Sequence, residues 1–278
     1  MGDPGQADEG FQVGPVAVRT DAVAVEAFAA ALGMGDGFNA VPLTFAIRWL
    51  SIPEVHDAIV EGLGLQQELL VQRSQSFHYR RRLELGREYR FVVGVRRHPA
   101  HAELITLRAT VEDCSGGVVI LSETGLCLLG AGATLSALRR LPPLADSVIP
   151  DLRVGPVGPA QTRRYALASL DNNPIHSDLG ATRAIGMDRP IVHGMLVLGQ
   201  FERALVGWRR DLRVSRLHGT FVQPLPIDTP IVVSSRVANS SFEGNAEHLV
   251  LRLVARTEGD VAICVGEVEA HVTAAIAS

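Results

Sequence analysis

Residues 165–194 read YALASLDNNPIHSDLGATRAIGMDRPIVHG. Asp171 and His176 share the frame D-N-N-P-I-H, and twenty-three residues after the aspartate His193-Gly194-Met195 opens a long apolar run. A carboxylate and an imidazole a few residues apart can hold one water between them and move its protons both ways. A glycine at a helix start has a backbone N–H with no intrahelical acceptor, which suits it to stabilise an oxyanion. The run from Ile191 to Trp208 carries Val192, Met195, Leu196, Val197, Leu198, Phe201, Leu205 and Val206. It is apolar on nearly every face, so the expected helix must be buried. Strand-like segments follow it, which predicts an antiparallel sheet wrapped around one central helix.

The stretch resembles the MaoC-like hydratases and dehydratases, with the (R)-specific enoyl-CoA hydratases among them. Their motif is roughly Gly-Asp-x-Asn-Pro-hydrophobic-His followed by a helix opening His-Gly-Met. Asp171, Asn173, Pro174, Ile175, His176, His193, Gly194 and Met195 match it, whereas Leu170 stands in place of the usual Gly. The resemblance implies an α+β double hot-dog fold in which each antiparallel sheet wraps a central helix. It implies reversible hydration of a trans-2-enoyl thioester, or dehydration of the (R)-3-hydroxyacyl thioester, on coenzyme A or a carrier protein. Asp171 and His176 would be the catalytic pair and the Gly194 N–H the oxyanion donor. Asn173 and His193 complete the expected substrate-binding set, Asn173 by shaping the loop that aims His176. His193 would fix the start of the helix through a side-chain hydrogen bond. Glu202, eight residues past Gly194, is a second departure, because the hydratases often carry a small hydroxyl residue there. No organic cofactor is called for.

Composition narrows the chemistry independently. All 26 basic residues are Arg, so a Schiff-base lysine, a Walker lysine and a Ser–Lys dyad are impossible. Any phosphate must be met by Arg or by backbone N–H groups, and Arg80–Arg82, Arg209, Arg210, Arg213 and Arg216 are the candidates. The formal net charge of −4, without a dense basic run, argues against nucleic-acid binding. Residues 1–9 resemble neither a signal nor a transit peptide and read as a disordered lead-in. No apolar run reaches the ~20 residues of a membrane helix. Cys114, Cys127 and Cys264 are scattered, which suits a reducing cytoplasm.

The chain also repeats itself. Val13–Val16 recurs as Val154–Val157, and residues 25–34 align with 162–171 at an offset of 137, placing Phe28 opposite Tyr165. Residues 77–95 align with 219–237 at an offset of 142, placing Leu83 opposite Leu225 and Tyr89 opposite Ile231. Three ordered matches favour duplication. The expected units are 10–135 and 153–278, joined by a connection over 136–152. Each half should hold a short helix (23–32, 161–170) and a longer one (44–63, interrupted at Pro53, and 191–208). Strands are expected over 68–82, 87–98, 101–113 and 117–129, then 211–224, 230–240, 246–257 and 260–273. In the first half Asp171 falls opposite Met34, and GMGDGFN (33–39) holds no histidine. That half is expected to be a degenerate copy that builds the acyl pocket, leaving one site per chain. Hot-dog units leave edges to cover, so a homodimer is expected.

A metal site from Asp171, His176, Asp178 and His193 is the rival use of these residues. No H-x-H, H-E-x-x-H or Cys pair accompanies them. Ser169 and Ser177 flank the site without a G-x-S-x-G elbow. Neither reading is adopted, and no metal is expected.

Overall fold

The computed structural model describes residues 10–35, 38–65, 70–128 and 149–273. The lead-in over 1–9 and most of the connection therefore lie outside the described residues. The first half contains β1 (Phe11–Arg19), α1 (Ala22–Leu32), a 3-10 segment (Phe45–Ser51), α2 (Pro53–Leu63), β2 (Leu70–Tyr79), β3 (Glu88–His98), β4 (His101–Glu112) and β5 (Val118–Leu128). The second contains β6 (Ile149–Val154), α3 (Pro159–Ser169), a 3-10 turn (Pro174–His176), α4 (Leu179–Ala184), α5 (Gly194–Trp208), β7 (Arg213–Phe221), β8 (Ile231–Glu243), β9 (Ala246–Thr257) and β10 (Ala262–Thr273). Residues 149–152, read from sequence as the end of the connection, instead begin β6 and pair with β8. Apolar Ile149 and Leu152 give that segment a buried face.

The strands form one antiparallel sheet in the order β1-β3-β4-β5-β2-β7-β10-β9-β8-β6. Its two ends are mirror statements of one connectivity, so the chain is a double hot-dog whose two five-stranded sheets join through β2 and β7. At that join Ser76 pairs with His218, flanked by Gln75–Gly219 and Phe77–Leu217. Ser76 and His218 are 142 positions apart, the offset of the sequence repeat, so a pseudo-twofold axis passes between them. Phe28 and Tyr165, aligned in sequence, meet near that axis with ring centroids 5.5 Å apart.

Helix α5 is enclosed as its composition requires: residues Met195–Glu202, Ala204 and Leu205 are buried. It packs against β6, β8, β9 and β10. The fit depends on glycine: a Cβ on Gly266 of β10 would lie 2.4 Å from the Phe201 ring. The corresponding helix of the first half is broken. Ile52 is extended (φ −67°, ψ 139°) because the residue before a proline avoids the helical region. Pro53 then starts α2, where its missing N–H costs nothing. Ile191 and Val192 stay outside α5, bonded to the 225–226 segment. Among the described residues no helix is long and apolar enough to cross a membrane.

Candidate active site

The site begins where α3 stops. Leu170 caps that helix in the left-handed conformation, φ 62°, which turns the chain sharply into the loop holding Asp171. Gly33, its counterpart at the 137 offset, caps α1 with φ 75°. The duplicate therefore retains the residue that this backbone prefers. Beyond Leu170 the loop is held by its own polar side chains. Asp171 Oδ1 accepts the Asn173 N–H at 3.2 Å. Asn173 Oδ1 accepts the Ile175 N–H at 3.2 Å and so caps the short turn bearing His176. Asn173 Nδ2 donates to the Leu70 carbonyl of the first half at 3.2 Å. Asn173 thus shapes the loop, as its sequence context suggests, and also ties it to the other half.

His176 Nδ1 lies 2.8 Å from the Ile191 carbonyl, which can only accept, so Nδ1 carries the proton. Its Nε2 stands 3.9 Å from Asp171 Oδ2. Two hydrogen bonds of about 2.8 Å meeting near the tetrahedral angle span about 4.6 Å, so a small widening of this gap lets one water bridge the two atoms. The Asp171 side chain keeps 40% of its surface open, toward a cavity, while His176 keeps 10%. Burial raises the Asp171 pKa, but the His193 and His176 charges and the Asn173 N–H outweigh it and leave the carboxyl below the usual range. Burial lowers His176, opposed only in part by Asp171 and by the Ile191 bond. At neutral pH the pair is therefore a carboxylate facing a neutral imidazole with a free lone pair.

His193 stands at the start of α5 but makes no side-chain capping bond there. Its Nε2 instead donates to the Asp171 carbonyl at 3.1 Å, tying the loop to the helix start. It is 1% exposed and stacks on His176 with ring centroids 3.6 Å apart, so it is a support and no substrate contact. Burial and the neighbouring His176 push its pKa down to about 4.

Asp171, His176 and His193 bring one possible metal-ligand atom each within 4.8 Å of one another. The two imidazoles lie only 24° from parallel. Their in-plane lone pairs run side by side and cannot converge on one ion at about 2.1 Å without a ring turning. Asp178 is committed to capping α4 through the Ala181 N–H.

Gly194 opens α5 and borders the same cavity as the Asp171–His176 pair. A Cβ at Gly194 would lie 3.0 Å from the Phe221 ring. The cavity, about 390 Å³, crosses between the halves. Ile47, Leu50, Ile59, Leu107 and Leu126 supply an apolar wall from the first half, with His56, Gln72, Arg73 and Thr124 as polar interruptions. The sequence reading missed these residues. His56, Ile59 and Val60 do share one face of α2 at helical spacing, the one pattern that could have pointed to them.

The arginine clusters proposed from sequence are turned elsewhere, and none lines the cavity. Arg81 pairs with Asp113, Arg209 with Asp211, and Arg216 with Glu267 and Glu269. Arg82 approaches Glu202 at 3.5 Å. Glu202 is 1% exposed and its Oε2 accepts the Leu43 N–H at 2.7 Å, so it braces α5 against the first half.

Residues 147–256 match the family model described as MaoC like domain. One curated relative, the enoyl-CoA hydratase ChsH3 of Mycobacterium tuberculosis, is 43% identical over 64 residues, which is 23% of this chain and 22% of that protein. The match thus spans about a fifth of that relative's length. A solved structure named MaoC-like dehydratase superposes with a TM-score of 0.76 at 17% identity, covering 97% of this chain and 98% of the other. A Mycobacterium tuberculosis protein described as a double hot-dog superposes with a TM-score of 0.61 at 13% identity, covering 95% of each. The family match falls on the half that carries the Asp171–His176 loop, and the likeness of fold extends over both halves.

Proposed function

We propose that the chain hydrates trans-2-enoyl thioesters, and in reverse dehydrates (R)-3-hydroxyacyl thioesters, carried on coenzyme A or a carrier protein. The observation that carries this reading is the 3.9 Å separation of His176 Nε2 and Asp171 Oδ2 beside the start of α5. The thioester carbonyl oxygen would accept the Gly194 N–H, at the positive end of the helix. A water held by Asp171 and His176 adds its oxygen to C3 and gives up one proton to the pair. The π electrons move toward the thioester carbonyl, the enolate oxygen is held by Gly194, and the pair then returns a proton to C2. Atoms balance with water alone, and no organic cofactor takes part.

The test is the absorbance change of crotonyl-CoA and longer enoyl-CoAs on hydration. Asp171→Asn and His176→Ala should each lower turnover at least ~10²-fold with the fold intact. Near-normal turnover in either variant would refute the assignment. The same reading includes a homodimer, since β1 and β6 end the sheet as edge strands. Sedimentation should give twice the chain mass at micromolar concentration; a monodisperse monomer would refute it. The free thiols of Cys114, Cys127 and Cys264 fit a reducing compartment such as the cytoplasm.

A further inference from the structure

The apolar cavity contains one arginine, and the backbone is deformed where it stands. Along β2 and β5, Gln72 pairs with Leu126 and Ser74 with Gly125, so Arg73 is the extra residue of a β-bulge. Position 125 has no side chain for a reason: its Cβ would lie 2.5 Å from Ser74 Oγ. A regular strand turns successive side chains to opposite faces, whereas a bulge re-aims them. Gln72 and Arg73, adjacent in sequence, accordingly both line the cavity. Arg73 is exposed there, and among the described residues no carboxylate lies within ion-pair distance of it.

The duplication supplies an internal comparison. Along β7 and β10, Arg216 pairs with Glu269 and Val214 with Ala270, so Ser215 is bulged in the same way. Ser215 lies 142 positions after Arg73, the offset that relates the two halves. Both copies keep the bulge, but Ser215 spends its hydroxyl on the Glu269 carbonyl at 3.1 Å and does not line the cavity. The guanidinium occurs only in the copy that faces the Asp171–His176 pair.

We infer that Arg73 is the anchor for an anionic group of the thioester, namely a phosphate of its phosphopantetheine carrier arm at the cavity rim. This rests on the enoyl-thioester reading and adds the residue that recognises the carrier. A guanidinium fork suits a phosphate, and Arg is the cation available in a chain without lysine. Arg73 holds substrate and takes no part in proton transfer, so it is a positioning residue.

The experiment compares crotonyl-CoA with crotonyl-pantetheine, which lacks every phosphate, in the wild type, Arg73→Gln and Arg73→Lys. Arg73→Gln should raise KM for crotonyl-CoA about tenfold or more, with little change in kcat and little change of either constant for crotonyl-pantetheine. Arg73→Lys should recover part of the loss, and Ser215→Ala should match the wild type on both substrates. Equal weakening of both thioesters, or none, overturns the proposal. So does selective weakening of a pantetheine thioester whose acyl chain ends in a carboxylate, since the anion would then lie on the acyl group. Calorimetric binding of butyryl-CoA, which cannot be hydrated, separates this inference from the reading beneath it. Binding that depends on Arg73 without any turnover would sink the hydratase reading alone. Turnover with binding indifferent to Arg73 would sink this proposal alone.

Discussion

Leu170 is the residue most at odds with its backbone. A side chain in the left-handed region costs roughly 1–2 kcal/mol, because Cβ crowds the following carbonyl. Leu170 sits there at φ 62°, directly before Asp171. Leu170→Gly should relieve that strain but lose some through the greater freedom of glycine when unfolded, for a net gain near ~1 kcal/mol. Urea unfolding would measure it, and a loss of stability would show that the half-buried Leu170 side chain contributes more than its backbone costs. The pairing of Asp171 with His176 was legible in the sequence because one loop holds both of them. The supporting interactions were less legible. Nothing local to His193 says that its ring will bond the Asp171 carbonyl, since that partner lies twenty-two residues away and meets it only through the fold.

At the scale of elements, α5 was identified by its all-apolar faces, and the one acid within them marks what sequence could not resolve. Glu202 is read equally well as a solvated position or as a brace until Leu43 and Arg82 are seen beside it. Burial, opposed by Arg82 and the Leu43 N–H, raises its pKa from the ordinary 4.5 to about 7. The folded state then binds more protons than the unfolded chain between those values. Its contribution is fully present below pH 4.5 and is lost as pH rises through 7. Glu202→Gln removes that titration. The stability difference between wild type and variant should therefore shift against the wild type from pH 5 to pH 8, by about 3 kcal/mol at most. Chemical denaturation at the two pH values checks this, and a constant difference would mean that Glu202 titrates normally. The broken helix of the first half was likewise half legible. Pro53 announced the interruption, but the 3-10 geometry of Phe45–Ser51 depends on its packing, with Phe45 and Trp49 buried in the aromatic core.

At the scale of the whole molecule, the repeat offset of 142 predicted more than shared ancestry. The same offset separates Ser76 and His218, which pair where the two halves join. What the repeat could not reveal is how the halves divide the work, because a residue's alignment partner is not its neighbour across the cavity. The second half brings Asp171, His176 and Gly194, while Leu50, Ile59, Leu107 and Leu126 of the first half form the opposing apolar wall. The first half should therefore set acyl length without touching the chemistry. Leu126 is partly buried on β5 and borders the cavity. Leu126→Phe enlarges a side chain toward open space, so it avoids the 1–3 kcal/mol typical of overpacking a filled core. It should lower kcat/KM for longer enoyl-CoAs at least ~10-fold while changing crotonyl-CoA less than ~3-fold, in keeping with the discrimination available from a few methylenes. Rates across a series of increasing chain length give the answer directly. A uniform loss over the series would mean that the acyl chain does not reach the first half, and the division of labour between the halves would have to be redrawn.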